Sequence, residues 1–270
     1  MKLQHLIQQV YYEPSLITSA AHAAIRSLIE HRLVGDEARQ GTDYCGDAVE
    51  IPGMEIVDGI AHIPVAGAIG AKLSGFAKGR GAVDVADIEQ ELDQAEESPE
   101  VKAIVLDIDS PGGMVLGTPE LADRIAQVDK PIMSFSNGMI ASAAYWLASA
   151  TDAIYTTRTA NSGSIGVYQA IYDESRAFEA QGVKVELIKA GKLKGMGYPG
   201  VPVNDATREH LQAGVNRIYG MFTEHVRNFR GDVDSAHMQG QLFMGPEAVS
   251  NGLIDAIVRN KAEAIASFLG

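Results

Sequence analysis

Residues 101–128, VKAIVLDIDSPGGMVLGTPELADRIAQV, decide the fold class. VKAIVLDID (101–109) is mostly apolar and reads as a buried strand. SPGG (110–113) is a turn. TPELADRIAQV (118–128) reads as a helix, with Thr118 as its cap and Pro119 at its first position. The same order recurs downstream. PIMSFS (131–136) is a strand, and NGMIASAAYWLASA (137–150) follows it as a buried helix. DAIYTT (152–157), SIGVYQAI (164–171) and VKVELIKAG (183–191) are strand-like, and ESRAFEAQG (174–182) is a helix closed by Gly182. Upstream, IVDGIAHIPVAGAI (56–69) predicts a strand or hairpin. Residues 84–97 predict a helix with Val85, Ile88, Leu92 and Ala95 on one face and Asp84 as cap. Residues 204–229 form a long helix, and GPEAVSNGLID (245–255) a short one. Such alternation implies an α/β fold, a mostly parallel sheet covered by helices. Ligands in such folds bind beyond the carboxyl ends of the strands.

The totals narrow the function. The chain has 270 residues, a net charge of −13 and 46% hydrophobic residues. That charge argues against nucleic acid and against anionic membrane surfaces as partners. Cys45 is the only cysteine, so no intrachain disulfide forms. No apolar run approaches a signal-peptide core or a membrane span, so no membrane anchor is expected and the protein is expected in the cytoplasm. PSLITSAAHAAIRSLIEHRL (14–33) has helical spacing at Ile17, Ala21, Ala24, Ile25, Leu28 and Leu33. Residues 1–50 therefore read as a helical arm and linker, 51–260 as the main domain, and 261–270 as a short tail.

Two strand-to-helix turns carry candidate chemistry. In LDIDSPGGMVLG (106–117), Gly112 and Gly113 permit close backbone approach, and their N–H groups suit a developing oxyanion. In SFSNGMIASAAYW (134–146), Ser142 stands at a helix start, where the local field favours negative charge, and Ala143 offers a second N–H. Taken singly, SPGG is equally a plain turn, and Ser142 reads first as a small residue for tight packing. A serine nucleophile needs a base. No histidine lies between His62 and His210, which disfavours histidine by sequence order. IKAGKLKGMGYPG (188–200) offers Lys189, Lys192 and Lys194. Lys194, among Leu193, Gly195, Met196 and Gly197, has the apolar setting that lowers an amine's pKa. The alternative is a solvated lysine loop. GAIGAKLSGFAKGRGAV (67–83) reads either as a mobile flap over the groove or as a long surface loop.

Taken in order, GIAHIPVAGAI, LDIDSPGGMV, SNGMIASAAYWLASA, NSGSIGVY, IKAGKLKGMG and GPEAVSNGLID resemble the signal peptide peptidase A-like serine peptidases. The form is close to the phage capsid assembly proteases of the protein C type. The resemblance spans about residues 56–258. It implies a Clp protease/crotonase-like spiral of ββα units behind an N-terminal helical arm, with 51–260 as the peptidase domain. It implies a Ser-Lys dyad: Ser142 as nucleophile, Lys194 as general base, and Ser164 as the serine that orients the lysine. Gly113 and Ala143 would form the oxyanion hole, with Gly112 and Tyr145 against the substrate. Alanines at 143 and 144 replace the glycines frequent in the family. The implied partners are polypeptide substrates, capsid or scaffold proteins among them, and further copies of the chain in a homo-oligomer. No metal or organic cofactor is implied. Rival readings are a housekeeping peptidase that degrades signal peptides, a silent capsid scaffold of the same fold, an acyl-CoA hydratase/isomerase relative, and a Ser-His-Asp peptidase.

Overall fold

The computed structural model describes residues 7, 8, 10–34 and 51–270, so most of the linker read in GDEARQGTDYCGDAVEIPG (35–53) lies outside the described residues. In chain order the elements are β1 (Ser15–Ile17), α1 (Ser19–Val34), β2 (Glu55–Val57), β3 (Ile60–Ala66), β4 (Ile69–Gly70), α2 (Gly75–Lys78) and β5 (Val83–Asp84). Next come α3 (Val85–Glu97), β6 (Ala103–Asp109), β7 (Gly112–Met114), α4 (Thr118–Ile125), β8 (Ile132–Ser136), β9 (Met139–Ala141) and α5 (Ala143–Ser149). The remainder is β10 (Ala153–Thr156), β11 (Asn161–Gly163), α6 (Ser175–Ala180), α7 (Asp205–Arg230), β12 (Leu242–Met244), α8 (Gly245–Ser250), β13 (Ala256–Ile257) and α9 (Lys261–Leu269).

The apolar runs become the six-stranded sheet β13-β10-β8-β6-β3-β2. β6 is parallel to β3 and β8, with Val105 opposite His62 and Met133. Ile104 through Leu106 are buried on both faces, as a strand covered on both sides requires. Only β2 runs antiparallel, as the outer arm of a hairpin with β3. After each of β6 and β8 the chain takes a short second strand, β7 or β9, out of this sheet and then enters a helix. β3 with β4, β5 and α3 follows the same plan, so the chain winds as a spiral of ββα units. The second strands build two small sheets, β1-β7-β4-β5 and β12-β11-β9. A bridge between Ser110 and Ile140 links them beyond the carboxyl ends of β6 and β8.

α5 is the innermost helix. All its residues are buried, and Trp146 stacks on Phe222 of α7 with ring centres 4.5 Å apart. The cap of α3 is as expected: the Asp84 side chain accepts from the Ala86 N–H. The cap of α4 is not. Gly117 takes that position, and the Thr118 hydroxyl donates to the Met114 carbonyl instead, 2.8 Å away.

Three other expectations change. The 14–33 segment does not start as a helix: Ser15–Ile17 is extended because it pairs with β7. Residues 67–83 are not a plain loop but carry β4, α2 and β5. Residues 183–191 form no ladder, and Ile188 stands fully in solvent. A strand needs a neighbour to pair with, and this segment pairs with none of the sheet edges among the described residues. Among the described residues no helix is long and apolar enough to cross a membrane.

Candidate active site

The ends of β7, β9 and β11 converge on Ser142. This residue links β9 to α5 with φ 55° and ψ −116°, a sparsely populated backbone state for a residue with a side chain. Two backbone bonds hold it there. Its N–H donates to the Gly163 carbonyl at 2.8 Å, and its carbonyl accepts from the Trp146 N–H at 2.9 Å. The residue is 1% exposed. Among the described residues no side chain or backbone group hydrogen-bonds its hydroxyl. The strain therefore aims an uncommitted hydroxyl at the head of a rigid helix.

The facing turn is fixed by Ser110. Its Oγ donates to the Gly67 carbonyl at 2.6 Å and accepts from the Gly112 N–H at 3.2 Å. Gly112 has φ 99°, and a Cβ there would lie 2.8 Å from the Ser142 Cβ. No side chain fits between the two turns. Gly113 is as tightly placed: a Cβ on it would meet the Ile69 carbonyl oxygen at 1.9 Å. Ala143 opens α5, so its N–H has no acceptor within the helix. Ser164 follows Gly163 directly, at φ 53°, with its N–H donating to the Gln241 carbonyl at 2.6 Å. Because Gly163 pairs with Ala141, Ser164 sits beside Ser142 on the adjoining strand end. Ser142, Gly112, Gly113, Ala143 and Ser164 thus meet at one place.

Lys194 is not bonded to them. It is exposed, its N–H closes a turn onto the Gly191 carbonyl at 3.1 Å, and its amine makes no hydrogen bond or ion pair among the described residues. The desolvated setting expected from its neighbours is absent within one chain. Gly191, Gly195 and Gly197 all take positive φ and turn the loop outward, so Leu193 and Met196 do not close over the amine. The amine of Lys189 donates to the Lys192 carbonyl, 2.9 Å away.

Tyr145 does not line a substrate path. It is fully buried, its hydroxyl donates to the Leu253 carbonyl at 2.7 Å, and burial holds the phenol well above its ordinary range. Its position one turn into α5 points it into the core between α5 and the segment after α8. Among the described residues no histidine replaces Lys194. His62 lies on β3 within the large sheet, its Nδ1 buried without a partner among them, and burial lowers its pKa. His225 packs between Trp146 and Phe229, where burial lowers its pKa to about 4. The role of Ser110 in pinning the glycine turn was not read from the sequence, although it is the first letter of SPGG.

Comparison with known proteins finds similarity to peptidases. The model of peptidase family S49 matches residues 124–268, more than half of the chain. Capsid assembly protease C of Escherichia phage lambda is 36% identical over 220 residues, covering 78% of this chain and 49% of that protein. Head-tail preconnector protein GP5 of Enterobacteria phage P21 is 32% identical over 216 residues, covering 78% of this chain and 42% of that protein. The chain thus spans about half the length of these relatives. Among solved structures, a ClpP1 mutant from Listeria monocytogenes superposes with a TM-score of 0.48 at 14% identity, covering 74% of this chain and 92% of that one.

Proposed function

The chain belongs to peptidase family S49, and on that premise we propose that it is a serine endopeptidase working through a Ser-Lys dyad. The observation that carries the reading is Ser142 itself: a strained, buried residue with an unbonded hydroxyl, set against a turn that admits no side chain. Strain of this kind costs about 1–3 kcal/mol and persists where the surroundings enforce it, commonly at functional sites. Ser142 Oγ attacks the peptide carbonyl as Lys194 takes its proton. The N–H groups of Gly113 and Ala143 hold the oxyanion. Lys194 returns the proton to the leaving amine, and water then releases the acyl group by the same route. Ser164, beside Ser142, receives and orients the lysine amine.

The exposure of Lys194 adds a condition. A base must be desolvated and within hydrogen-bond reach of its nucleophile. In this reading a neighbouring copy supplies Lys194, which fits the unpaired 183–191 segment and the exposed Ile188, Met196 and Tyr198. The natural setting is the assembly of a phage capsid, where the substrates are capsid or scaffold polypeptides. The similarity to the lambda and P21 proteins favours this over a housekeeping role.

Mixing two inactive variants tests the reading. Ser142→Ala and Lys194→Ala are each expected to lose cleavage of an unstructured protein by several orders of magnitude. Lys189→Ala and Lys192→Ala are expected to keep most activity. Mixed, the two dead proteins should regain a measurable fraction. Full activity of either single variant refutes the dyad. Dead variants that never complement each other refute sharing between copies and leave Lys194 acting within its own chain.

A further inference from the structure

The candidate groove is occupied by the chain itself. β1 runs antiparallel along β7, with Ser15 opposite Met114, Leu16 opposite Gly113 and Ile17 opposite Gly112. On its other edge, Ser15 exchanges both backbone hydrogen bonds with Tyr168, at 2.8 and 3.3 Å. Hydrogen bonding alternates along an extended strand, so Leu16 must turn its N–H and carbonyl the other way, toward Gly113. The Thr18 N–H, two residues on, donates to the Pro111 carbonyl at 3.0 Å and keeps the same phase. The Leu16 carbonyl therefore faces the N–H group assigned above to the oxyanion.

Ser142 flanks the same spot. A Cβ on Gly112 would lie 2.2 Å from the Leu16 oxygen and 2.8 Å from the Ser142 Cβ. Those two atoms can be no farther apart than the sum of the two distances. Ser15, Leu16 and Ile17 are all essentially inaccessible to solvent. The Ser15 hydroxyl is buried with no partner among the described residues, so the slot grips this strand by its backbone and its apolar side chains. Such a grip suits many sequences. Residues 168–172 latch the arm from outside. His22 Nδ1 meets the Tyr168 hydroxyl at 2.6 Å, Gln169 Nε2 donates to the Tyr12 carbonyl at 2.7 Å, and Arg26 lies over the Tyr172 ring.

We propose that β1 is a built-in occupant of the substrate slot, seated with Leu16 where the residue preceding a cleaved bond would sit. Another polypeptide strand enters only when the arm leaves. The slot then takes an extended strand with an aliphatic residue at the position of Leu16. The proposal rests on reading Ser142 and Gly113 as catalytic machinery, but occupancy is measurable without catalysis.

Leu16→Pro removes the N–H facing β7 and misfits the ladder, while leaving α1 its sequence. The probe is a fluorescent peptide of residues 12–20, YEPSLITSA. In a Ser142→Ala background, so that nothing is cleaved, Leu16→Pro protein should bind it at least tenfold more tightly than protein with Leu16 intact. Equal binding overturns the proposal. Hydrogen exchange on the parent protein covers a variant that fails to fold. The Leu16 and Gly113 amides should be protected, and exchange of both at the rate of an open chain overturns occupancy. With Ser142 present, Leu16→Pro should raise casein turnover at least tenfold, and the free peptide should suppress it. Turnover that is measurable but unchanged by Leu16→Pro again overturns the proposal. Tight peptide binding with no turnover in any form sustains the occupied slot and refutes the peptidase reading instead.

Discussion

Gly113→Ala tests whether the geometry around the glycine turn is as tight as described. The added Cβ would meet the Ile69 oxygen at 1.9 Å, its carbonyl carbon at 2.6 Å and its nitrogen at 2.7 Å. All three are backbone atoms of β4, paired in register with Gly113, so no side-chain rotation relieves the contact. β7 and β4 must part by more than an ångström in a close-packed interior. Overpacking typically costs about 1–3 kcal/mol, and a clash with backbone belongs at the upper end, about 3 kcal/mol. In a chain of this size each kcal/mol lowers Tm by about 2–4 °C, so the expected fall is roughly 6–12 °C. Displacing one oxyanion donor costs about a hundred- to a thousandfold in kcat, so peptidase activity should fall by that much as well. Gly214→Ala is the control. It lies inside α7, where a Cβ meets nothing within 4 Å, and it should be neutral or stabilising by up to about 1 kcal/mol. Calorimetric melts of the three proteins decide the matter. A Gly113→Ala protein melting within 2 °C of its parent, at about the limit of what such a substitution leaves unperturbed, refutes the packing described here.

Two further outcomes follow from the buried groups near the site. Tyr145→Phe leaves the Leu253 carbonyl without its donor and should cost about 1–3 kcal/mol with KM unchanged; a raised KM at unaltered stability, read from steady-state kinetics and melts, would return Tyr145 to the substrate path. His225 has a folded pKa of about 4 against an ordinary 6.5, so the unfolded chain binds the proton first. Its contribution to stability is complete above pH 6.5 and is lost as the pH falls toward 4. His225→Phe should flatten denaturant-measured stability across that window, and an unchanged slope would assign the acid sensitivity elsewhere.

Much of the candidate site's arrangement was legible in the sequence, for a physical reason. Strand-turn-helix units are local, so VKAIVLDID-SPGG and PIMSFS-NGMIAS place Gly112, Gly113, Ser142 and Ala143 by short-range pattern alone. The apolar runs likewise announced β3, β6 and β8. What failed depended on distant partners. Ser15–Ile17 looked like the start of a helix because SLITSAAHAAI has helical spacing, and only the β7 edge makes it a strand. VKVELIKAG carries strand propensity but pairs with no strand among the described residues, since β propensity reflects neighbours more than backbone. Tyr145 shares a motif with Ser142, yet the turn of α5 carries it to the opposite side, into the core. The apolar letters around Lys194 suggested burial, which sequence proximity does not confer.

The most direct measurement is the mass of the intact protein after treatment with a fluorophosphonate, followed by mapping of the modified residue, on the parent chain and on the Leu16→Pro form. The account predicts one adduct, on Ser142, formed faster in the Leu16→Pro form, absent from Ser142→Ala, and accompanied by loss of casein cleavage. Cleavage that survives complete modification, or an adduct on another serine that abolishes it, would contradict the assignment of Ser142 as the nucleophile.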